Sequence, residues 1–112
     1  FFLVESAGAS FSPLSSQETN FDLALRLEPA IWILVAPDSL GVLHDLTTTL
    51  ALMRERGRLP DYVVLNQARP PDASTGTNAE ELSRLRIAQP ELVVRRDSAD
   101  LAAFAERLSR HA

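Results

Sequence analysis

The chain has 112 residues, 46% of them apolar, and a formal net charge of −4 from 15 acidic and 11 basic residues. This length fits one domain or part of one. The basic residues are all Arg, and there is no Cys, so disulfides and thiolate metal sites are excluded. No dense basic patch occurs, which argues against nucleic acid as a partner. The apolar run at residues 31–36 is too short to cross a bilayer and no segment resembles a signal peptide, so we expect a cytoplasmic protein without a membrane partner.

The chain opens on an apolar run at residues 1–4 that is followed directly by Glu5. We expect a buried strand whose carboxyl end carries this carboxylate, because ligands bind at that end of the strands in open α/β sheets. The small residues at 6–9 leave room for a ligand beside the backbone. The alternative is an ordinary turn with Glu5 in water. Because natural domains rarely begin inside an apolar strand, we also expect that an N-terminal part is missing.

Helical and strand patterns alternate along the rest of the chain. Successive strand starts after residue 31 lie about 30 residues apart, which indicates right-handed βαβ crossovers and a parallel sheet. The apolar run at 31–36 predicts a strand buried on both faces. After the loop at 6–18 we predict a helix that begins with a capping box at Thr19 and Asp22 and ends at Pro29, followed by the strand at 31–36. A second helix at about 42–56, capped by Asp38 or Ser39 and followed by Gly57, leads to a strand at 62–66. A third helix then begins with a capping box at Thr77 and Glu80, and it is followed by a strand at 92–94 and a last helix capped by Ser98.

Polar groups follow each predicted strand, and a parallel sheet brings these ends to one edge, where we expect the ligand site. Glu5 suits Mg²⁺, which prefers one or two carboxylates together with phosphate oxygens, or it is simply solvated. The helix start after Ser39 attracts a carboxylate or phosphate, or it is an ordinary capped terminus. Asn66 suits a purine edge or forms a turn. A single His such as His44 is more typical of a surface than of a base, and Arg69 faces either phosphate or water.

Several catalytic patterns are absent from this sequence. It contains no G-x-S-x-G nucleophile elbow and no G-x-x-x-x-G-K-[ST] phosphate loop, and it has no Lys. With only His44 and His111, no metal cluster can be argued. We therefore assign no catalytic residue.

Several segments, taken in order, resemble the C-terminal half of the dethiobiotin synthetases, a P-loop NTPase family that uses ATP to close a cyclic urea on diaminopelargonate with CO₂. The segments are V-E-S-A-G-A at 4–9, F-S-P-L-S at 11–15, T-N-F-D-L-A at 19–24, I-L-V at 33–35, L-G-V-L-H at 40–44 and V-V-L-N at 63–66. The resemblance implies that residues 1–112 are the C-terminal part of a single domain. It implies a P-loop NTPase-like three-layer αβα fold with a parallel sheet and flanking helices, its N-terminal P-loop part missing, and a homodimer.

The resemblance also implies ATP as a substrate, Mg²⁺ as a cofactor, a diaminopelargonate-like small molecule as a partner, and roles for individual residues. Glu5 would be the Mg²⁺ ligand, and the loop near the phosphates and substrate would contain Ala7 and Gly8. The helix start that receives the substrate carboxylate across the dimer interface would consist of Leu40, Gly41, Val42, Leu43 and His44. Asn66 would contact the adenine, and Arg95 would be part of the base pocket.

The chain departs from the family pattern at three positions. Ser6 and Ala9 replace two glycines, and His44 stands where the family usually has Asn. The leading hypothesis is a dethiobiotin synthetase whose present chain alone is inactive. The alternatives are a related P-loop amide ligase of the cobyrinate type and a non-catalytic interaction module of the same fold. Without a phosphate-loop strand, we expect uncovered apolar surface at residues 1–4 and self-association.

Overall fold

The computed structural model describes residues 2–67, 70–95 and 100–110. The described residues divide into an N-terminal unit at 2–30 and a C-terminal unit that begins at residue 31. None of the described helices is both long and apolar enough to cross a membrane. The elements in chain order are α1 (Asn20–Leu27), β1 (Ile33–Pro37), α2 (Val42–Glu55), β2 (Tyr62–Asn66), α3 (Asn78–Arg84), β3 (Leu92–Val94) and α4 (Asp100–Ser109).

The predicted first strand is wrong for residues 2–5, which have no strand assignment. Phe2, Leu3 and Val4 are 97%, 84% and 66% exposed. A strand needs a neighbour to pair its N–H and C=O groups, and no described strand pairs with this segment. For Phe2, Leu3 and Val4, this exposure agrees with the expectation of uncovered apolar surface at residues 1–4.

The capping box at the start of α1 is confirmed. The Thr19 hydroxyl accepts a hydrogen bond from the Asp22 N–H at 3.4 Å, and Asp22 Oδ2 accepts one from the Thr19 N–H at 2.8 Å. This reciprocal pair satisfies two N–H groups that a helix start leaves free. The fully buried Phe21 stacks on Phe11 with ring centroids 5.1 Å apart, which anchors α1 within the N-terminal unit.

The parallel sheet is confirmed, with three strands in the order β1-β2-β3. The central strand β2 buries its three middle residues on both faces, as the continuous run V-V-L predicts. Burial on both faces is wrong for β1, where Val35 is 58% exposed. The side chains of a strand point alternately to the two faces of the sheet, and the described residues cover Ala36 but leave its neighbour Val35 largely uncovered.

Helix α2 carries an apolar face at helical spacing, and its C-terminus is as predicted. Gly57, at φ +85°, donates its N–H to the Arg54 carbonyl at 3.0 Å, and Arg58 donates to the Met53 carbonyl at 3.1 Å. This is a Schellman motif, which requires the left-handed backbone that glycine adopts without strain. The buried face of α2 consists of Val42, Leu46, Leu50 and Met53.

Two of the predicted helix caps are wrong. The N-cap of α2 is Gly41, with no side-chain hydrogen bond, and not Asp38 or Ser39. The Thr77 hydroxyl donates to the Ser74 carbonyl at 2.8 Å instead of accepting from α3, so the second capping box does not form. In both cases contacts with the preceding loop compete with the local capping geometry. The predicted cap of α4, Ser98, lies outside the described residues.

Candidate functional site

The predicted site residues fall into both units. Glu5, Ala7 and Gly8 belong to the N-terminal unit, whereas the segment 40–44, Asn66 and Arg95 belong to the C-terminal unit. Within the C-terminal unit, the strand register aligns the last residue of β1, Pro37, with Asn66 at the end of β2 and Val94 at the end of β3. We call this end of the sheet the carboxyl edge.

The carboxyl edge therefore brings three of the predicted segments together. The half-buried Asn66 ends β2, and the exposed Arg95 directly follows β3. The chain leaving β1 leads into the 40–44 segment at the start of α2. Arg69, which the sequence predicts to face either phosphate or water, lies outside the described residues, as do Arg96 and Asp97.

In the N-terminal unit, the loop at 6–9 is shaped by a residue that the sequence analysis did not select. The buried Asn20 donates two hydrogen bonds from Nδ2, to the Ala7 carbonyl at 2.7 Å and to the Ala9 carbonyl at 2.9 Å. Gly8 has φ +84°, and a Cβ there would lie 3.0 Å from Ser12 Oγ. The loop therefore has a defined backbone shape, and only a residue without a side chain fits at Gly8 without strain.

Glu5 is exposed and is the carboxylate predicted to hold Mg²⁺. Across the part of the chain that the structure describes, no three His, Cys, Asp or Glu side chains come together as a metal site. Mg²⁺ is usually held by one or two carboxylates when phosphates and water complete its shell. Glu5 can supply at most one ligand of such a shell. The described residues by themselves do not form a magnesium site, and the Mg²⁺ assignment stays a prediction.

The start of α2 displays backbone N–H groups. The Val42 N–H donates to the Ser39 carbonyl at 3.2 Å, but within the described residues the N–H groups of Gly41, Leu43 and His44 have no hydrogen-bond acceptor. Such free donors, together with the helix dipole, attract an anionic group. The chemistry of this segment therefore fits a carboxylate or a phosphate.

The N–H of Leu40, the first residue of the 40–44 segment, already has an acceptor within the protein. The Leu40 N–H donates to Asp72 Oδ2 at 2.8 Å. Asp72 Oδ1 in turn accepts from the N–H and hydroxyl of Ser74 and from the N–H of Thr75, at 2.8 to 3.2 Å. The Leu40 N–H and then the Ser74 hydroxyl contribute most to holding the pKa of Asp72 at about 2, because these donors stabilise the charged form.

Asp72 was missed by the sequence analysis, although a local signal exists. The stretch D-A-S-T at 72–75 is typical of a turn in which an Asp side chain accepts from the backbone two and three residues later. The contact with Leu40, 32 residues away, has no such signal. The loop at 70–76 is thereby fastened to the start of α2.

Asp38, which the sequence places after the strand at 31–36 and predicts as a possible helix cap, is a second aspartate near the carboxyl edge. It is only 4% exposed, and its carboxylate accepts three hydrogen bonds from neutral donors. The donors are the Gly76 N–H at 3.0 Å and Gln67 Nε2 at 3.1 Å, both on Oδ2, and Asn78 Nδ2 at 2.8 Å, on Oδ1. Burial without donors would be costly for a carboxylate, so these three contacts are what allow Asp38 to lie in the interior.

His44 lies exposed in the first turn of α2. This location agrees with a surface residue and offers no geometry of a general base. The exposed Leu40 side chain, at 82%, stands immediately before the same turn. The side chain of Val42 is buried, so Val42 itself could reach a ligand only through its backbone.

A parallel sheet with flanking helices and polar segments at the carboxyl edge defines an α/β protein and is consistent with part of a P-loop NTPase-like fold. A family profile described as an AAA domain matches residues 1–97, and the chain belongs to that family. Its relatives include an ATP-dependent dethiobiotin synthetase BioD from Rhodopirellula baltica, which is 35% identical over 98% of this chain and 46% of the relative. Another, from Anaeromyxobacter sp. (strain Fw109-5), is 36% identical over 79% of this chain and 40% of the relative.

These comparisons confirm the resemblance to the dethiobiotin synthetases. The chain spans less than half the length of these curated relatives. No solved structure matches the chain.

Proposed function

We propose that this chain is part of an ATP-dependent cyclo-ligase of the dethiobiotin synthetase type. The observation that carries the proposal is the 35% identity to a protein of that name over 98% of the chain. The free N–H groups at the start of α2 support it, since they suit the carboxylate of diaminopelargonate.

In the proposed reaction, one amine of diaminopelargonate attacks CO₂ and forms a carbamate. The γ-phosphoryl group of ATP is then transferred to a carbamate oxygen, which turns that oxygen into a leaving group. The second amine attacks the carbamate carbon, phosphate leaves, and the cyclic urea closes with release of its amine proton. Because phosphoryl transfer relies on positioning and charge neutralisation, the residues of this chain act by binding and orienting.

The proposed binding roles follow the carboxyl edge. The N–H groups of Gly41, Leu43 and His44 hold the substrate carboxylate, which fixes the position of the two amines at the other end of the molecule. The Asn66 amide supplies a donor and an acceptor to the adenine edge, and Arg95 lines the base pocket. In the N-terminal unit, the loop with Ala7 and Gly8 lies near phosphates and substrate, and Glu5 is one ligand of the Mg²⁺ that ATP carries.

We further propose a homodimer in which the start of α2 serves the partner's site. The 82% exposure of the apolar Leu40 side chain supports this, since such a side chain is better covered by protein than by water. The 112 residues contain no Lys and no G-x-x-x-x-G-K-[ST] loop. A phosphate cradle of that kind is therefore not supplied by these residues, and we expect the 112-residue chain alone not to turn over ATP.

The test is an assay of the protein as its gene encodes it, with diaminopelargonate, bicarbonate and saturating ATP. We expect dethiobiotin and ADP in equal amounts. We propose in addition that the exposed His44 imidazole makes one polar contact with the substrate carboxylate beside the free N–H groups at the start of α2. The variant His44→Ala removes that side-chain contact and keeps the N–H, so it should raise KM for diaminopelargonate about threefold to tenfold, while His44→Asn should keep KM near the wild-type value. Thr48 is also exposed and lies one helical turn further along α2, so Thr48→Ala is the matched control and should leave KM unchanged. No dethiobiotin from the wild-type protein would sink the proposal.

A second candidate, a related P-loop amide ligase, is favoured by two observations on the same segment. His44 replaces the usual family Asn, and the Leu40 N–H is already bound to a carboxylate of the protein. Both change how an incoming carboxylate would be held. ADP formation that depends on ammonia or glutamine and on a different carboxylic acid, with none from diaminopelargonate, would favour this candidate. A protein that binds no ATP would instead point to the non-catalytic module.

A further inference from the structure

Asp38 lies between the two segments to which the proposed function assigns different ligands. Its backbone N–H donates to the Asn66 carbonyl at 3.0 Å, so it touches the strand end proposed for the adenine. It is also two residues before Leu40, where the segment proposed for the substrate carboxylate begins. The backbone of Asp38 therefore connects the two segments directly.

The side chain of Asp38 fixes this connection. Its Oδ2 accepts from Gln67, the residue after Asn66, and from the Gly76 N–H, while Oδ1 accepts from Asn78 in the first turn of α3. The Asp38 carbonyl accepts from the Thr75 hydroxyl at 3.0 Å. One buried residue thus holds the end of β1, the end of β2 and the loop before α3 in one arrangement.

We propose that Asp38 is a positioning residue that sets the nucleotide-contacting end of β2 and the substrate-contacting start of α2 relative to each other. This inference rests on the proposed function for the identity of the two ligands. Asp38 touches neither of them and acts through Asn66 and the 40–44 segment. A misplacement of reacting groups by about 1 Å is enough to slow a bimolecular reaction strongly, so a rigid link between the two segments has a direct effect on the reaction.

The central variant is Asp38→Asn, which keeps the size of the side chain. One carboxylate oxygen becomes an NH₂ group, which faces the Asn78 Nδ2 donor. Asn78 can accept from it only by turning its side-chain amide, and then it loses the contact of Nδ2 with Ser74 Oγ at 3.3 Å. The double variant Asp38→Asn with Asn78→Asp exchanges the two groups. The amide oxygen introduced at position 38 can then accept from Gly76 and Gln67 in the place of Oδ2, and the introduced NH₂ group can donate to the carboxylate introduced at position 78. The exchange thus restores the three side-chain contacts of position 38 and moves the charge to position 78, where the contact of Asn78 Nδ2 with Ser74 is not replaced.

In the protein as its gene encodes it, we expect Asp38→Asn to raise KM for both ATP and diaminopelargonate, each on the order of tenfold, as expected when buried donors lose their acceptor. The double variant should return both values to within about threefold of the wild type. A structural role alone would lower the melting temperature of Asp38→Asn and leave both KM values unchanged, and that result would overturn the proposal. Failure of the double variant to rescue KM would overturn it too.

A second readout does not depend on the substrate. In the Asp38→Asn variant, exchange of the backbone amides of Gly76 and of position 38 should speed up on the order of tenfold, and the double variant should restore the protection of both amides. If the wild-type protein makes no dethiobiotin, the proposed function fails, but the exchange measurement still tests whether Asp38 holds the two segments in place. Unchanged exchange at these two amides would overturn the positioning role whatever the reaction proves to be.

Discussion

Asp72 illustrates how one exposed side chain can hold two distant parts of the chain. Its carboxylate receives four hydrogen bonds, one of them from Leu40 across 32 residues of sequence. The donors favour the charged form and lower the pKa of Asp72 from 3.8 to about 2, with the Leu40 N–H as the main contributor. Ionised Asp72 also puts a negative charge beside the free N–H groups of the α2 start.

The lowered pKa gives a pH prediction with a defined sign. A carboxyl group whose pKa is lower in the folded state stabilises it fully above the ordinary value of 3.8, and this contribution is lost as the pH falls through about 2. We expect the amide resonance of Leu40 to shift with a midpoint near 2 in an NMR titration, since protonation weakens its acceptor. Asp72→Asn, which cannot ionise, is the control and should show no such step. A midpoint near 3.8, the ordinary value, would contradict the contact.

At the scale of elements, the start of α1 is capped by a side chain of its own segment, whereas at the start of α3 contacts with the preceding loop prevent such a cap. Thr19 with Asp22 and Thr77 with Glu80 present the same T-x-x-acid pattern. Only the first forms a capping box. The hydroxyl of Thr77 is directed to the Ser74 carbonyl because the preceding loop is itself fastened to Asp38 and Asp72.

These two threonines form a matched pair for a stability experiment. Thr19→Ala should destabilise α1 by about 1 kcal/mol, the usual cost of losing an N-cap side chain. Thr77→Ala should change the stability of α3 by less than about 0.5 kcal/mol, because its exposed hydroxyl satisfies no helix N–H. Amide hydrogen exchange of the two helices measures both effects locally. Equal losses for the two variants would show that Thr77 also acts as a cap.

For the whole molecule, the distribution of apolar surface is the dominant feature. The core contains side chains from β2, α2 and α3, whereas Phe2, Leu3, Val4 and Leu40 remain more than half exposed. Apolar side chains left in water favour association, at about 25 cal/mol for each Å² that becomes covered.

We therefore expect the 112-residue chain to self-associate at micromolar concentration, as measured by analytical ultracentrifugation. Replacing Phe2, Leu3 and Val4 by Ser should lower the association, because it removes the most exposed apolar run. Leu40→Ser is the comparison variant, since it removes the side chain that the homodimer proposal uses. A monomer of the wild-type chain with a sharp two-state melting transition would contradict the expectation.

Much of the fold was predictable because its signals are local. The periodic apolar positions of α2, the glycine that ends it, and the continuous apolar run of β2 each depend on residues close in sequence. The parallel order followed from strand spacing. The errors at residues 2–5 and in β1 concern strand pairing and burial, which depend on the elements that lie beside a strand and over its faces and not on the strand's own residues.

For the candidate site, the sequence alone determined which strand ends and which helix start carry polar or free N–H groups, and these segments meet at the carboxyl edge. Only the tertiary structure decided that Asp38 is buried among neutral donors and that Asp72 binds the Leu40 N–H. Those contacts join residues 29 to 40 positions apart. A hydrogen bond between residues so far apart has no local signal, because the folded backbone alone brings the donor within reach of its acceptor.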